Sequence, residues 1–362
     1  MKRTNMAMAA LATVASLAAG TSHSQTQAQA QSSVTLYGLL DAGVDYASDA
    51  GAGGHSVTRV SSGGMNTSRW GIRGSEDLGG GLKAIYTLEG GILMDTGAAD
   101  GNLFKRKAYV GLEGRYGQLV LGRAFTSVYD TVIRYDPMGF APFYSWATSG
   151  NATGPSKYGM TTGFDNLVKY SGSTGNFKYG VSYGMGEQST GTGDGAKLAT
   201  AVSYETDGMG VMATWEQVNG NPLAATGRRD EARVFHLGAF YETGKLKFWL
   251  AGRGYSMEKG QAATADVKAD TYWTGVAYKP EPNTTLTGAV YYMNVKHVAA
   301  GEDADPLMFV ARYRYALSKR TDLYATVAYA KAKHAQLVSL SRDDAGFAGT
   351  QRGAIVGIQH RF

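Results

Sequence analysis

The sequence predicts an all-β fold, a transmembrane antiparallel β-barrel of sixteen strands with short periplasmic turns and long external loops. Three observations lead to this prediction: an export signal at the amino terminus, segments in which apolar and polar residues alternate, and connections that are alternately short and long. The composition agrees, because glycine (50 of 362 residues) and tyrosine (23) are abundant and proline (7) is scarce. Glycine disfavours helices and marks turns, and tyrosine favours strands.

The amino terminus has the features of a secretory signal peptide. Lys2 and Arg3 form a positively charged start, an alanine-rich apolar stretch follows, and a pattern of small residues typical of a cleavage site ends at Ala30. We therefore predict a signal peptide over residues 1–30 and a single exported domain, the sixteen-stranded barrel, over residues 31–362.

Composition excludes several classes of function. The formal net charge is +5, of which Lys2 and Arg3 supply two, and the remaining charge is too small and scattered for a nucleic-acid-binding protein. Cysteine is absent, which excludes thiolate metal sites and thiol catalysis. After the signal peptide there is no run of about 18 apolar residues, so the chain offers no transmembrane helix. A barrel escapes this test, since only alternate residues of its strands face lipid.

Strand alternation is clearest at the carboxyl end. Ala354, Val356, Ile358 and Phe362 share one face of a predicted strand, whereas Gln359 lies on the other face. The same period of two recurs in segments 34–46, 82–89, 246–253, 307–317 and 322–329. One face of each strand is therefore mostly apolar and suits lipid, and the other is small or polar and suits water.

The spacing of the connections distinguishes a barrel from a soluble β-sandwich, which alternation alone leaves open. Short turns are predicted at 76–81, 113–117, 172–176, 205–208, 242–245, 279–283 and 318–321. Longer polar loops are predicted at 47–57, 92–104, 124–164, 185–197, 219–231, 257–268, 297–306 and 335–349. Seven turns and eight loops make fifteen connections and hence sixteen strands. Regular alternation of short and long connections is typical of outer-membrane barrels, and an even strand number lets the first and last strands pair.

Several segments resemble the β-proteobacterial general diffusion porins. Residues 31–38 resemble the mature start of that family, and residues 68–84 resemble its second strand, the following turn and its third strand. The end of the chain, 357–362, and shorter segments at 108–112 and 121–123 are similar too. The resemblance therefore extends over the whole predicted mature chain.

The resemblance implies a homotrimer of sixteen-stranded barrels, in which the third external loop folds inward and narrows each pore. Here that loop is 124–164, the longest of the predicted connections. A loop of this length in a compact domain is usually functional. The chain departs from the family at Gly163 and Phe164, because the family tends to carry a basic residue just before the pair Asp165-Asn166.

A group of basic residues is predicted to face the lumen. Alternation turns Arg69, Arg73 and Lys83 inward on adjacent strands, and we expect them to converge. Lys107 also turns inward, but Arg106 matches the position at which the family has an arginine at the narrowest point. The resemblance therefore favours Arg106 as the base of the constriction.

Acidic residues are predicted to oppose these bases. The long loop carries Asp130 and Asp136 with Arg134 between them, and the first strand carries Asp41 and Asp45. Bases on the wall that face acids on the loop would set a transverse field across the passage, which orients dipolar solutes. We expect a weak preference for anions.

The predicted function is passive diffusion of small hydrophilic solutes and ions through a water-filled channel in the outer membrane of a Gram-negative bacterium, with both termini periplasmic. A substrate-specific channel for a sugar or an anion is the alternative. No enzyme activity, cofactor or metal is expected, and the sequence has no HExxH or Walker motif. The expected partners are lipopolysaccharide and outer-membrane lipid, together with the barrel-insertion machinery. Similar porins present a terminal aromatic residue to that machinery as an assembly signal, and here that residue is Phe362.

Overall fold

The structure, a computed structural model, describes residues 32–51, 53–148, 158–261, 264–298, 301, 303–341, 344 and 346–362. The predicted signal peptide and its cleavage site lie outside the described residues and stay predictions. Within the described residues, none of the helices combines the length and hydrophobicity that a membrane crossing requires.

Seventeen strands of the described chain form one antiparallel sheet. They are β1 (Ser33–Gly51), β2 (His55–Ser62), β3 (Arg69–Gly79), β4 (Leu82–Gly91), β5 (Lys107–Gly114), β6 (Gly117–Phe125), β7 (Gly163–Thr174), β8 (Phe177–Gly184), β9 (Lys197–Glu205), β10 (Met209–Asn219), β11 (Glu231–Thr243), β12 (Leu246–Glu258), β13 (Val267–Tyr278), β14 (Thr284–Lys296), β15 (Leu307–Ala316), β16 (Thr321–Lys331) and β17 (Thr350–Arg361). Between β6 and β7 lie a short helix, α1 (Ser127–Val132), and a 3₁₀ turn (Ile133–Tyr135).

The sheet closes into a barrel because its first and last strands pair. Leu39 of β1 lies opposite Arg361 of β17. On its other edge β1 pairs with β3 along its first part and with β2 along its second part. β2 and β3 therefore occupy one position, and the seventeen strands fill sixteen positions, which confirms the predicted barrel. Closure leaves no sheet edge with unpaired N–H and C=O groups in hydrocarbon.

The first external connection differs from the prediction of a long loop at 47–57. β1 and β2 are joined by residues 52–54 alone, so that prediction is wrong. The irregular segment is instead 63–68, which interrupts the wall between β2 and β3. The carboxylate of Asp41 on β1 accepts hydrogen bonds from two backbone N–H groups of this segment, at 3.2 and 2.8 Å. These bonds satisfy backbone donors that the interrupted strand leaves without ladder partners.

The two faces of the wall differ as alternation predicts. Outward side chains are apolar, and Val34, Leu250 and Val356 are 70%, 66% and 67% exposed. Inward side chains include buried polar and charged groups such as Glu89 and Arg253. An apolar outer band with a polar interior is the arrangement that a barrel needs in a lipid bilayer.

The third external loop folds into the barrel, as the resemblance implies. It joins β6 to β7 over residues 126–162, close to the predicted bounds. We call residues 126–135 the helical limb and residues 136–148 the return limb. The helical limb begins at Thr126, whose hydroxyl accepts a hydrogen bond from the Tyr129 N–H (3.0 Å) and so caps α1.

The return limb packs against the inner wall of β12 to β17. Trp146 is fully buried, and its Nε1 donates a hydrogen bond to the carbonyl of Ser339 (3.2 Å). Arg253 of β12 donates from Nη1 to the carbonyl of Ala147 (2.7 Å). Because buried carbonyl groups need such donors, these contacts hold the limb in one position.

Candidate functional site

The centre of the constriction is a buried carboxylate, Glu89, on the inward face of β4. Only 2% of Glu89 is exposed. It accepts hydrogen bonds from Arg106 Nε (2.8 Å) and from the Tyr37 hydroxyl (2.7 Å), and Lys107 Nζ lies 3.7 Å away. A buried carboxylate needs such partners, because loss of hydration is otherwise very costly. Glu89 therefore compensates part of the positive charge of the two bases.

Arg106 is held between the wall and the loop. Its guanidinium carbon lies 5.0 Å from the ring centroid of Phe125, the last residue of β6. Phe125 stacks in turn on Tyr129 of α1, with ring centroids 4.3 Å apart. A guanidinium over an aromatic face is a favourable arrangement. The aromatic pair therefore places Arg106 where the loop leaves the wall.

Arg69 shares a cavity with Arg106. The cavity has a volume of about 380 Å³ and lies between β1, β3 and β4 on the wall and both limbs of the loop. We call it the constriction cavity. Its charged lining residues are four bases and two carboxylates: Arg69, Arg106, Lys107, Arg361, Glu89 and Asp130. The sequence prediction thus placed Arg69, Arg106 and Asp130 at one site.

Asp130 faces the passage from the helical limb. About half of its side chain (52%) is exposed, and its carboxylate forms an ion pair with Lys169 of β7. Lys169 is largely buried and also donates to the Phe125 carbonyl (3.0 Å). The contacts of Lys169 therefore fix both the start of the loop and the position of its exposed acid.

A second cavity lies on the other side of Asp130, toward the periplasmic turns. It has a volume of about 570 Å³, and we call it the periplasmic cavity. Its charged lining residues are Glu113, Arg115, Asp130, Lys169 and Lys178. Asp130 lines both cavities, so a solute that crosses from one to the other passes this carboxylate.

Arg69, Arg73 and Lys83 do not converge, which corrects the expectation of a basic group. Lys83 lies opposite Asp77, eight residues along β3 from Arg69. At a rise of about 3.3 Å per residue the separation along the strand is roughly 26 Å. Arg73 lies between them, with its guanidinium carbon 5.1 Å from the ring centroid of Tyr37. The three bases form a ladder from the constriction toward the periplasm.

Arg134 does not face the constriction cavity. Its guanidinium contacts both oxygens of Glu205 at the end of β9, at 3.0 and 2.6 Å. Lys178 lies 2.6 Å from the same carboxylate. The carbonyl of Arg134 accepts a hydrogen bond from Trp249 Nε1 (3.1 Å). Arg134 therefore attaches the helical limb to the wall.

Asp136 is buried, which corrects its prediction as an acid of the pore surface. Its carboxylate accepts hydrogen bonds from the Tyr291 hydroxyl, from the Phe140 N–H (2.7 Å) and from the Ser145 hydroxyl (2.8 Å). Burial raises the pKa of Asp136, and these hydrogen bonds oppose the shift. The residue organises the bend between the two limbs and contributes no exposed charge.

The acids of β1 are also satisfied within the protein. Asp41 accepts hydrogen bonds from the Tyr324 hydroxyl (2.6 Å) and from Gln359 Nε2 (2.9 Å). Asp45 forms an ion pair with Arg59 of β2 (3.2 Å). Both acids are buried, so they do not oppose the bases across the passage as predicted.

The sequence prediction missed Glu89, Lys169, Tyr37 and Phe125. Glu89 and Lys169 are charged residues in the middle of strands, on the inward face, and that position alone could have indicated them. No comparable signal indicates Tyr37 or Phe125, because aromatic residues are frequent on both faces of the barrel.

Catalytic and metal sites find no support in the described part of the chain. The sequence contains a Gly-x-Ser-x-Gly pattern at 180–184, but it lies within β8 and not at the turn between a strand and a helix that a nucleophile needs. The Ser182 hydroxyl is buried and accepts a hydrogen bond from the Ser127 N–H (2.9 Å). No three His, Cys, Asp or Glu side chains of these residues are grouped as metal ligands.

A closed barrel whose lumen is narrowed by an inward loop and lined by charged side chains defines a class of protein, the outer-membrane diffusion channel. The model of the Gram-negative porin family matches residues 7–335, and the chain belongs to this family. Outer membrane porin protein 32 of Delftia acidovorans is 32% identical over 350 residues, which are 92% of this chain and 95% of the relative. An outer membrane porin protein of Bordetella pertussis is 30% identical over 412 residues, with 100% of both chains covered.

Solved structures support the same fold. The anion-selective porin from Comamonas acidovorans superposes with a TM-score of 0.79 at 29% sequence identity, over 92% of this chain and 100% of that chain. OmpT of Vibrio cholerae, solved in a trimer form, has a TM-score of 0.69 at 16% identity, over 91% and 99%. The second likeness shows the fold alone.

The protein is therefore an outer-membrane porin of a Gram-negative bacterium, a channel for passive diffusion of small hydrophilic solutes. This confirms the predicted fold, location and general function.

Proposed function

We propose that the passage has a modest preference for anions and that Arg69 and Arg106 are its main determinants. The observation that supports this proposal is the charge of the constriction cavity, which four bases and two carboxylates line. The periplasmic cavity likewise has more bases than acids. The porin from Comamonas acidovorans is described as anion-selective, and its 29% identity to this chain supports the same sign here.

The expected preference is modest because the constriction contains acids as well as bases. A unit charge about 4 Å from a passing ion contributes about 1 kcal/mol in bulk water and about 4 kcal/mol at the effective dielectric near a protein surface. Glu89 lies 2.8 Å from Arg106 and offsets much of its field. Arg69 has no ion-pair partner among the described residues, so its charge acts on solutes with less compensation.

The proposal predicts that Arg69→Gln lowers the anion preference more than Arg73→Gln does. Both arginines lie on the inward face of β3, but only Arg69 lines the constriction cavity. The measurement is the reversal potential of single channels in planar bilayers across a KCl gradient. Lys83→Gln, at the periplasmic end of the ladder, should have the smallest effect.

Two results would contradict this assignment: a strong cation preference in the parent channel, or equal effects of the three substitutions. The same recordings distinguish the alternative function. Large, weakly selective conductance steps support a general diffusion porin, whereas steps that a particular sugar or anion blocks would support a substrate-specific channel.

We also propose that three copies assemble, as the resemblance implies, and that the chain has no catalytic activity. The assembled form should resist SDS at room temperature and migrate at its formal mass only after boiling, because every strand belongs to one closed hydrogen-bond network. Chemical cross-linking of the purified protein counts the copies.

Phe362 is proposed as an assembly signal. Its backbone exchanges two hydrogen bonds with Gly38, both 3.1 Å, and its ring, which is 44% exposed, lies directly over that glycine. We expect deletion of Phe362 to lower the amount of folded protein in the membrane several-fold, whereas Phe362→Tyr, which keeps the ring, should preserve it. Heat-modifiable protein is measured in outer-membrane fractions. Equal amounts in the deletion strain would count against the role.

A further inference from the structure

The outer surface of the barrel has a groove over strands β13 to β16. Val276, Gly288, Ala311 and Val327 lie side by side across these four strands on the membrane-facing side. Glycine and alanine form the floor, and the two valines form the sides. A Cβ atom added at Gly288 would meet no heavy atom within 4 Å, so the floor is open.

Aromatic residues border this groove along the strands. Phe309 and Tyr329 lie in the next outward-facing row toward the external side, and Tyr313 lies in the next row toward the periplasm. The cavity has a volume of about 840 Å³ and an almost entirely apolar lining. Its depth and length suit a hydrocarbon chain better than a flat barrel surface does, because more apolar area is covered.

One charged residue, Arg352, also lines the groove. It lies opposite Tyr329 at the external end of β17, and its side chain is exposed. Lys331, the next outward residue after Tyr329 on β16, is a diagonal neighbour of Arg352, roughly 7 Å away. Among the described residues neither cation has a carboxylate within ion-pair distance.

The combination of these features defines the ligand. An apolar groove that faces the membrane fits an acyl chain, and two uncompensated cations at its external rim fit a phosphate. We propose that the groove binds an acyl chain of a phosphorylated glycolipid of the external leaflet, with the lipid phosphate between Lys331 and Arg352. A second copy of the chain fits this surface less well, because it would have to bring a carboxylate to each cation at the rim.

The proposal rests on the location of the protein in the outer membrane and is independent of the anion preference. It is tested with purified full-length protein in detergent, to which lipid A with two phosphates is added. Bound lipid is counted by native mass spectrometry. Lys331→Gln with Arg352→Gln should weaken binding at least tenfold, and Gly288→Leu, which fills the open floor, should also weaken it several-fold.

A matched control is available at the other end of the barrel. Lys319 and Arg320 are an exposed Lys–Arg pair on a periplasmic turn, and changing both to Gln should leave lipid A binding unchanged. Reversal potentials should be the same in all of these variants, since none of the altered residues lines the pore.

Three outcomes would overturn the proposal. The first is absence of lipid A binding to the parent. The second is equal loss in the rim and control variants. The third is a Gly288→Leu variant that dissociates into monomers with unchanged lipid binding, which would assign the groove to contact between copies. Binding of diacylglycerol as tight as that of lipid A would also overturn it, because diacylglycerol has no phosphate.

Discussion

The two limbs of the third loop have the same origin in the sequence and opposite surroundings in the barrel. The helical limb presents Tyr129 and Asp130 to the passage, and both line the constriction cavity. The return limb is packed against the wall, and Tyr144, Trp146 and Ala147 are 2% exposed or less. The comparison teaches that selectivity and attachment are divided between the limbs, since the exposed charges depend on a buried limb that does not move.

Breaking the attachment of the return limb should have the largest effect. Trp146→Ala removes a fully buried ring and its hydrogen bond to the Ser339 carbonyl. Such truncations lower the free energy of unfolding by about 3–5 kcal/mol. We expect a lower temperature of heat modification on SDS gels, together with larger and noisier single-channel conductance as the limb leaves the wall.

Tyr116→Ala is the matched control, because Tyr116 is 71% exposed on a periplasmic turn. It should leave conductance unchanged. If Trp146→Ala also left the conductance and its noise unchanged, the return limb would not control the width of the passage.

Two aspartates of the loop allow a sharper test, since the same substitution should affect different properties. Asp136→Asn places an amide N–H₂ against the donors that Asp136 now accepts, and we expect the free energy of unfolding to fall by about 1–3 kcal/mol. Asp130→Asn removes an exposed charge and should raise the anion preference with little change in stability. Thermal unfolding and reversal potentials are measured for both variants. The division between the limbs would be refuted if Asp136→Asn changed selectivity alone.

Salt should have the smallest effect and should act unequally on the two kinds of charge. The Debye length falls from about 10 Å at 0.1 M to about 3 Å at 1 M, so the anion preference should weaken over this range. The side chain of Asp130 is 52% exposed and that of Arg106 is 12% exposed, so the contribution of Asp130 should be screened more. Reversal potentials of Asp130→Asn and Arg106→Gln, compared with the parent at both salt concentrations, measure this difference. Equal screening would place the two side chains in the same environment.

The sequence by itself determined the barrel. Alternation with a period of two depends only on neighbouring residues, and it correctly separated the lipid face from the lumen face at residues as distant as Leu36 and Ile358. The short and long connections then determined the number of strand positions. The sequence was also sufficient to place Arg69, Arg106 and Asp130 in the lumen, since each lies near the end of a predictable strand or in the long loop.

Only the tertiary structure decided which charges act on a solute. Asp130 and Asp136 are six residues apart in one loop, yet one is exposed and the other is buried. The difference arises from Tyr291, which lies 155 residues from Asp136 in the sequence and approaches it only because the loop folds across the barrel. The exposed charge of a carboxylate depends on the partners that surround it, and no local pattern records a partner on a distant strand.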